Sequence, residues 1–265
     1  MIHGLDHIVI LVADLDAAIA DYTTLGFSVV VGGEHPGGAT HNALVIFADG
    51  VYLELIAFKQ PQEDHIWWAR SRRADEGLID YALLPGSTPA GVTAARQRGL
   101  ELIGPTDGGR LRPDGVRLTW QTARSATPDL PFLCGDLTPR SLRAPEGGVR
   151  RHANRVRGVA GITIAVRDLG TSLSRYQALL GDAATLSGAA VQLAGLGVAV
   201  ATLNLAGSNI TLAAAHGSGP AGEVVQAHID RIGEGPFAFA LQTDAPHVAA
   251  RLDPTLTHGA IIDLV

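Results

Sequence analysis

The chain has 265 residues, 46% of them hydrophobic, a mean hydropathy of +0.20 and a net charge of −6 at pH 7. This length allows two globular domains, or one large one, with a sizeable core. The acidic balance argues against a nucleic-acid partner, which needs a basic face. The single cysteine excludes an internal disulfide and fits a reducing compartment, and no apolar stretch reaches the ~18 residues of a membrane helix. We therefore expect a cytoplasmic protein with no membrane partner.

An internal repeat is the strongest signal in the sequence. Residues 5–26 indicate a buried strand, an Ala-Asp turn and an amphipathic helix, and residues 159–181 are a close copy of them. The positions that recur at a constant offset of 154 residues (168 − 14) are Asp14, Leu15 and Tyr22, which return as Asp168, Leu169 and Tyr176. The copy differs at one place of chemical interest, because His7 is replaced by Gly161.

The first copy extends into a βαβββ unit over residues 1–58. Asp14 or Asp16 can cap the helix, and Gly26 ends it. Glycines between residues 32 and 38 predict a loop after the second strand. The strands predicted from β-branched content and alternation are Leu5–Val12, Phe27–Val31, His41–Phe47 and Val51–Phe58.

Units of the same kind fill most of the chain. A second one covers residues 77–137, after a helical insertion at 59–76. Residues 1–140 are then a first pair of modules, and 141–157 are a linker with five arginines, two glycines and one proline. Residues 158–265 are a second pair, whose last module is incomplete but includes a helix predicted from Asp244 to Leu252. The predicted fold class is α+β, built from tandem βαβββ modules.

Two side chains in the first module have the chemistry of a metal site. Successive side chains in a strand point to opposite faces, so His7 and Glu54 can face one cavity if the first and fourth strands are neighbours. An imidazole and a carboxylate form half of a site suited to zinc, iron, manganese or nickel. An ionised carboxylate in so apolar a strand is also costly unless it is paired. The alternative is a buried histidine bonded to a backbone carbonyl.

Further segments share an order and spacing with a known family. They are the Asp14-Leu15 turn, Gly26-Phe27, Gly33-Glu34-His35, Thr40-His41-Asn42, Tyr52-Leu53-Glu54-Leu55, Arg112-Pro113-Asp114-Gly115 and His152-Ala153-Asn154. Together with His7, they make the chain resemble the vicinal oxygen chelate superfamily of glyoxalases, bleomycin resistance proteins and extradiol dioxygenases. Within it, the chain is similar to the glyoxalase-like domain proteins. The resemblance covers most of the chain and is strongest over the first module.

This resemblance implies paired modules whose curved mixed sheets surround a cavity, and a divalent metal held by residues of first and fourth strands. His7 and Glu54 fall on two ligand positions. Asp80 falls on a third, in the second module. Cys134 falls on the fourth, with Asp136 two residues further on; either could bind a metal, but neither is the carboxylate that the family has there. The second pair of modules lacks ligands at the matching positions, which implies a support domain without a metal.

A second group of residues is expected to contact the substrate or form the cavity wall: His41, Asn42, Tyr52 and Trp120. His41 and Asn42 begin the third strand, so one of the two should face inward. The insertion contains the pair Trp67 and Trp68, which indicates either a surface helix held by two tryptophans or a lid over the pocket.

The sequence leads to two functional hypotheses. The first is a metal-dependent enzyme that binds a small substrate through vicinal oxygens, with the metal as Lewis acid and Glu54 as general base, in lyase, isomerase or dioxygenase chemistry. The second is a metal-free protein of the bleomycin-resistance type that sequesters a small molecule. Either protein could be a monomer or a homodimer, because two modules of one chain can complete a cavity.

Overall fold

The computed structural model describes residues 1–69, 76–245 and 250–265, and its first part consists of strands with few helices. The elements of the first module are β1 (Ile2–Leu11), α1 (Leu15–Thr24), β2 (Val30–Glu34), β3 (Thr40–Ile46) and β4 (Tyr52–Phe58). Those of the second are β5 (Gly77–Pro85), α2 (Thr88–Gln97), β6 (Ile103–Leu111), β7 (Arg117–Arg124) and β8 (Phe132–Asp136). Residues 66–69 of the insertion are helical, and 70–75 lie outside the described residues.

The rest of the chain repeats this pattern with changes. After the short helix α3 (Arg140–Arg143), the elements are β9 (Val156–Ala165), α4 (Leu169–Leu180), β10 (Ala184–Leu186), β11 (Val191–Leu193), β12 (Val198–Leu205), β13 (Ser208–Ala215), α5 (Pro220–Ile232), β14 (Gly235–Thr243), β15 (Ala250–Arg251) and β16 (Ile262–Leu264). Among the described helices, none has the length and apolar character needed to cross a membrane.

The first two modules form a closed barrel with the strand order β1-β4-β3-β2-β6-β7-β8-β5. β1 pairs in parallel with β4 and antiparallel with β5, so the strands that carry the predicted ligands are neighbours. Closure removes the exposed edges that an open sheet would leave. The predicted fold class is confirmed: tandem βαβββ modules form curved mixed sheets, and one pair surrounds a cavity.

The loop predicted after the second strand is partly strand. β2 continues to Glu34, which pairs with Leu111 of β6 and joins the two modules. Gly33 has a φ of +133°, and a Cβ there would collide with the carbonyl oxygen of Leu111. The glycine thus permits the close backbone approach that closes the barrel.

The second pair of modules is an open sheet with the order β10-β12-β13-β9-β14-β16-β15. One of its faces is covered by α5, whose Val225 and Ile229 pack against Ala165 and Ala213. The helix predicted from Asp244 to Leu252 is not seen at its end, where residues 250 and 251 form β15. Residues 246–249 lie outside the described part.

A single core joins the two halves, and the repeated tyrosines cross it. Tyr22 of α1 donates a long hydrogen bond to the carbonyl of Thr257 at 3.4 Å. Tyr176 of α4 donates to the carbonyl of Asp129 at 2.7 Å. Each tyrosine therefore reaches from its own module into a module of the other half.

Candidate functional site

The barrel contains a cavity of about 370 Å³ that opens between the β2–β3 loop and the insertion. Its polar wall includes His7, His35, Asn42, Glu54 and Arg110, and its apolar wall includes Trp67, Trp120 and Phe132. A few convergent polar groups in a largely apolar hollow of this size are typical of a small-molecule site.

An irregularity in β1 brings Asp6 beside His7, which faces the cavity. The pairing with β5 shifts between Leu5 and His7, so Asp6 is an extra residue and its side chain points to the same side as that of His7. The ring nitrogen Nδ1 of His7 lies 2.6 Å from Asp6 Oδ2. His7 also stacks on Tyr52, with ring centroids 4.8 Å apart. Because an ionised carboxylate can only accept, Nδ1 donates and Nε2 is the free nitrogen that faces the cavity.

Asp6 is fully buried and is held by two arginines from the end of the barrel. Arg143 donates to both carboxylate oxygens, at 2.7 and 3.0 Å, and Arg140 donates to Oδ1. Burial by itself would raise the pKa of Asp6, but Arg143, His7 and Arg140 outweigh it and hold the pKa well below the usual range. Asp6 is therefore an anion that fixes the orientation of His7.

Glu54 comes to the same place from β4. Val9 pairs with Glu54, so the carboxylate lies beside His7, and His7 Nε2 is 3.5 Å from Glu54 Oε2. The other oxygen, Oε1, accepts a hydrogen bond of 2.5 Å from Asn42 Nδ2. Burial raises the pKa of Glu54, but His7, His35 and Asn42 lower it by more. Glu54 is thus ionised, with Oε2 directed towards His7.

Asn42 links Glu54 to a buried arginine. Its side-chain oxygen accepts a hydrogen bond of 3.1 Å from Arg110 Nη1. Gly32 makes room for this pair, because a Cβ at that position would collide with the arginine and with the amide. Asn42 therefore lines the cavity and holds the carboxylate of Glu54 in place.

His35 lies in the glycine-rich segment that follows the second predicted strand, and its ring enters the cavity. Its Nε2 lies 3.7 Å from Glu54 Oε1, and its Nδ1 lies 2.9 Å from Thr40 Oγ1. Burial lowers the pKa of His35, which favours the neutral ring. The ring also stands edge-on to Trp120, with centroids 6.0 Å apart.

Asp80 does not fit the predicted role of metal ligand. Its Oδ2 accepts hydrogen bonds from Trp67 Nε1 at 2.8 Å and from Arg124 at 3.2 Å, and its Oδ1 accepts from the backbone of Tyr81 at 2.9 Å. Both oxygens are thus engaged. The sequence could not show this, because Trp67 and Arg124 reach Asp80 only after the insertion and β7 fold over β5.

The fourth ligand position differs from the sequence alignment. His7 pairs with Ala82 and Val9 pairs with Asp80, so Ala82 is the counterpart of Val9 in the second module. Ala82 pairs with Phe132 as Val9 pairs with Glu54. Phe132 therefore occupies the place equivalent to Glu54, and Cys134 lies two residues further on. The Phe132 ring stands edge-on to His7, with centroids 5.4 Å apart.

The remaining predicted contacts divide between the two faces of the barrel wall. Tyr52 lies at the cavity floor, where its hydroxyl accepts a hydrogen bond of 2.7 Å from Arg143, and Trp120 forms part of the wall. His41 is not among the cavity residues, because it precedes Asn42 in β3 and so points to the opposite face.

The described part of the insertion covers the cavity mouth. His65, Ile66 and Trp67 line the cavity, and Trp67 is anchored by its bond to Asp80. Of the two interpretations of this segment, these contacts favour the lid.

The chemistry and spacing of these donors allow part of a metal site. Asp6, His7 and Cys134 offer ligand atoms within 4.8 Å of one another, a group that could hold an ion. However, Asp6 already compensates two arginines, and burial raises the pKa of the Cys134 thiol, which opposes the thiolate form. His7 and Glu54 fit better, because two donors sharing a zinc ion tetrahedrally lie about 3.4 Å apart.

His7 also has the outer partner that metal-bound histidines usually have, since Asp6 accepts from its other nitrogen. The structure thus fits a metal held from the first module, by His7 and Glu54. It does not fit the four-ligand set implied by the resemblance, because Asp80 is ion-paired and Phe132 has no donor atom.

Three functional residues were missed in the sequence: Asp6, Arg110 and Arg143. Asp6 was hidden because a regular strand would turn it away from His7. Arg143 was assigned to a linker, although the excess of arginines there was a signal. Nothing local to Arg110 marks it as a cavity residue.

The comparison with family models agrees with this fold and site. A family described as a glyoxalase-like domain matches residues 5–180, which is more than half of the chain. The chain therefore belongs to the glyoxalase-like domain family. The predicted resemblance to the vicinal oxygen chelate superfamily is confirmed. A comparison with curated proteins found no match.

Solved structures share the architecture at low sequence identity. A hypothetical protein from Staphylococcus aureus superposes with a TM-score of 0.73 and 14% identity, over 98% of each chain. A mutant of 4-hydroxymandelate synthase from Streptomyces coelicolor superposes with a TM-score of 0.64 and 14% identity, over 92% of this chain and 72% of that one. A xylose isomerase-like TIM barrel/4-hydroxyphenylpyruvate dioxygenase fusion protein superposes with a TM-score of 0.55 and 15% identity. The match covers 93% of this chain and 37% of the fusion protein. These likenesses show the fold.

Proposed function

We propose that the chain is a glyoxalase-like enzyme that holds a divalent metal, zinc, iron, manganese or nickel, between His7 and Glu54. Its substrate would be a small molecule that chelates the metal through vicinal oxygens. The supporting observation is the 3.5 Å approach of His7 Nε2 to Glu54 Oε2 inside the barrel cavity.

When bound, the metal would supply Lewis-acid stabilisation of negative charge on a substrate oxygen. The protein's own residues prepare the rest. Asp6 holds the proton on His7 Nδ1 and so keeps Nε2 as an electron-pair donor. Asn42 fixes one oxygen of ionised Glu54, and the other faces His7 Nε2, where the metal would be held. On release from the metal, that oxygen would act as the general base. Trp67 and Trp120 supply apolar wall on which a substrate would pack. This arrangement suits lyase, isomerase or dioxygenase chemistry.

A second candidate is a metal-free binding protein that sequesters a small molecule in the same cavity. Two observations favour it: Asp80 is paired with Arg124, and Phe132 lies where a further carboxylate ligand would be needed. The aromatic wall would then provide most of the binding energy. In this case Trp67 and Trp120 matter more than His7.

The same proposal includes a cytoplasmic location, a small-molecule partner rather than nucleic acid or a membrane, and a monomer or homodimer. The single cysteine and the acidic net charge support it.

The test is elemental analysis of protein purified without chelators, followed by titration of the apoprotein with Zn²⁺ and Fe²⁺. We expect about one metal per chain, and at least about tenfold weaker affinity in His7→Ala and Glu54→Gln, since each removes one ligand. His41→Ala is the matched control, because this histidine lies outside the cavity. A wild-type protein that binds no metal, yet binds a small molecule equally well in His7→Ala, would favour the second candidate.

A further inference from the structure

The cavity wall carries several charged side chains. Three arginines line it, Arg110, Arg124 and Arg143, against two acids, Glu54 and Asp107. The chain as a whole carries a net charge of −6. Whether one of these arginines is available to an anion depends on the partners that each of them has.

Two of these arginines have carboxylate partners. Arg124 pairs with Asp80 at 3.2 Å, and Arg143 pairs with Asp6 and Asp136. Arg110 is different, because no carboxylate in the described residues forms an ion pair with it. Its hydrogen bonds go to Asn42 Oδ1 at 3.1 Å and to the carbonyl of Arg143 at 3.0 Å, both neutral acceptors.

Arg110 is nevertheless buried, with 3% of its surface exposed. A buried cation is costly unless an anion compensates it. Burial accordingly lowers the pKa of Arg110. Glu54, a carboxylate on the same wall, is separated from it by the amide of Asn42, which is hydrogen-bonded to both side chains. Only two of the five guanidinium donors are bound, which leaves a planar set of donors for a ligand.

The position of Arg110 is also well defined. Gly32 lets the guanidinium approach Asn42, and the carbonyl of Arg143 holds its other end. A guanidinium held this way loses little entropy on binding, and its fork matches the two oxygens of a carboxylate. The aromatic rings of Trp67, Trp120 and Phe132 form the neighbouring wall.

We propose that Arg110 is an anion anchor and that the cavity selects small carboxylic acids whose carboxylate pairs with Arg110 while a flat apolar part packs on the aromatic wall. The inference deepens the proposed function by naming a substrate class. It rests on that proposal only for the choice of cavity, because carboxylate binding to Arg110 requires no metal.

The test compares benzoate with benzamide, which has the same shape and no charge. Binding is followed by fluorescence, since Trp67 and Trp120 line the cavity. We expect benzoate to bind at least about tenfold more tightly than benzamide, because the amide cannot form a charge-assisted pair with the buried Arg110. Arg110→Met should remove the preference, and Arg110→Lys, which keeps the charge but not the fork, should retain part of it. Arg117→Met, on an exposed position of β7, is the control and should keep it.

Circular dichroism confirms that each variant is folded, and Arg110→Lys keeps the test decisive if Arg110→Met does not fold. Absence of saturable benzoate binding, or a preference that survives in both Arg110 variants, would overturn the inference. Each titration is repeated with a chelator. If the metal-free protein still prefers benzoate to benzamide, the result supports Arg110 as the anion anchor even if the metal proposal fails. If the preference for benzoate disappears when the metal is removed, the carboxylate binds to the metal ion, and the role of Arg110 as anchor is rejected.

Discussion

Asp6 and His7 are neighbours in sequence whose side chains point to the same side of β1 and meet through a 2.6 Å hydrogen bond. The shift in pairing between β1 and β5 makes this possible. Arg143 brings the linker after β8 onto the same carboxylate. One irregularity in a strand thus connects the barrel end to the ring nitrogen that faces the cavity.

Asp6→Asn should destabilise the protein by about 3–5 kcal/mol, because it removes the anion that compensates two largely buried guanidinium groups. Urea unfolding at neutral pH measures the loss. The matched control is Asp182→Asn, at an exposed position, which should change stability by no more than about 0.5 kcal/mol. Equal stability of the two variants would show that the Asp6 pairs contribute little.

Phe132→Glu should raise metal affinity. The register places Phe132 where the second module would supply a counterpart of Glu54, so a carboxylate there can add a ligand. The apoprotein should lose about 3–5 kcal/mol of stability, because an aromatic side chain is replaced by a buried charge. Added Zn²⁺ should restore part of it, because metal binding is coupled to folding.

Zn²⁺ titration and thermal unfolding measure these effects. Phe132→Leu is the control, since it removes the ring and adds no donor atom. A zinc affinity that is the same in both variants would count against the assignment of this position.

The stability of the protein should fall as pH drops, in part through His152. This residue is buried between the linker and the first module, where Nδ1 accepts a hydrogen bond from the backbone of Ser28 at 3.0 Å and Nε2 donates to the carbonyl of Ile46 at 3.1 Å. Burial lowers the pKa of His152. The unfolded chain, with the ordinary histidine pKa of about 6.5, then binds the proton more readily.

The contribution of His152 is therefore complete above pH ~6.5 and is lost as the pH falls below it. The free energy of unfolding is measured at pH 7.5 and 5.5 for the wild type and for His152→Gln. At pH 7.5 the free energy of unfolding should be about 1–3 kcal/mol lower in the variant, because a hydrogen bond and ring packing are lost. Between pH 7.5 and 5.5, however, it should fall less in the variant than in the wild type. An equal drop in both proteins would exclude His152 as a source of the pH dependence.

The two repeated tyrosines should differ in their effect on stability. Tyr176→Phe leaves the carbonyl of Asp129 and the hydroxyl of Tyr81 without a buried partner, and should cost about 1–3 kcal/mol. Tyr22→Phe removes only a 3.4 Å bond and should cost less than about 0.5 kcal/mol. Chemical denaturation compares the two. A larger loss for Tyr22→Phe would contradict this view of the joint between the halves.

Local sequence patterns were sufficient for the modules and for the first half of the site. The constant offset between Asp14 and Asp168 revealed the repeat, and both residues cap their helices as capping chemistry requires. Strand alternation was sufficient to bring His7 and Glu54 together, because the periodicity of a strand decides which side chains share a face.

Long-range register decided the rest. Whether Phe132 or Cys134 opposes His7, and whether Asp80 is free or paired with Arg124, depends on how strands far apart in sequence align across the closed barrel. A shift of one residue reverses every side chain, and local composition does not encode that shift. The amino-acid sequence thus specifies the modules and a candidate pair of metal ligands. Only the closed barrel, with the Asp6 irregularity and the folded-back linker, determines which charges meet in the cavity. It leaves Arg110 in the cavity wall with no carboxylate partner among the residues that the structure describes.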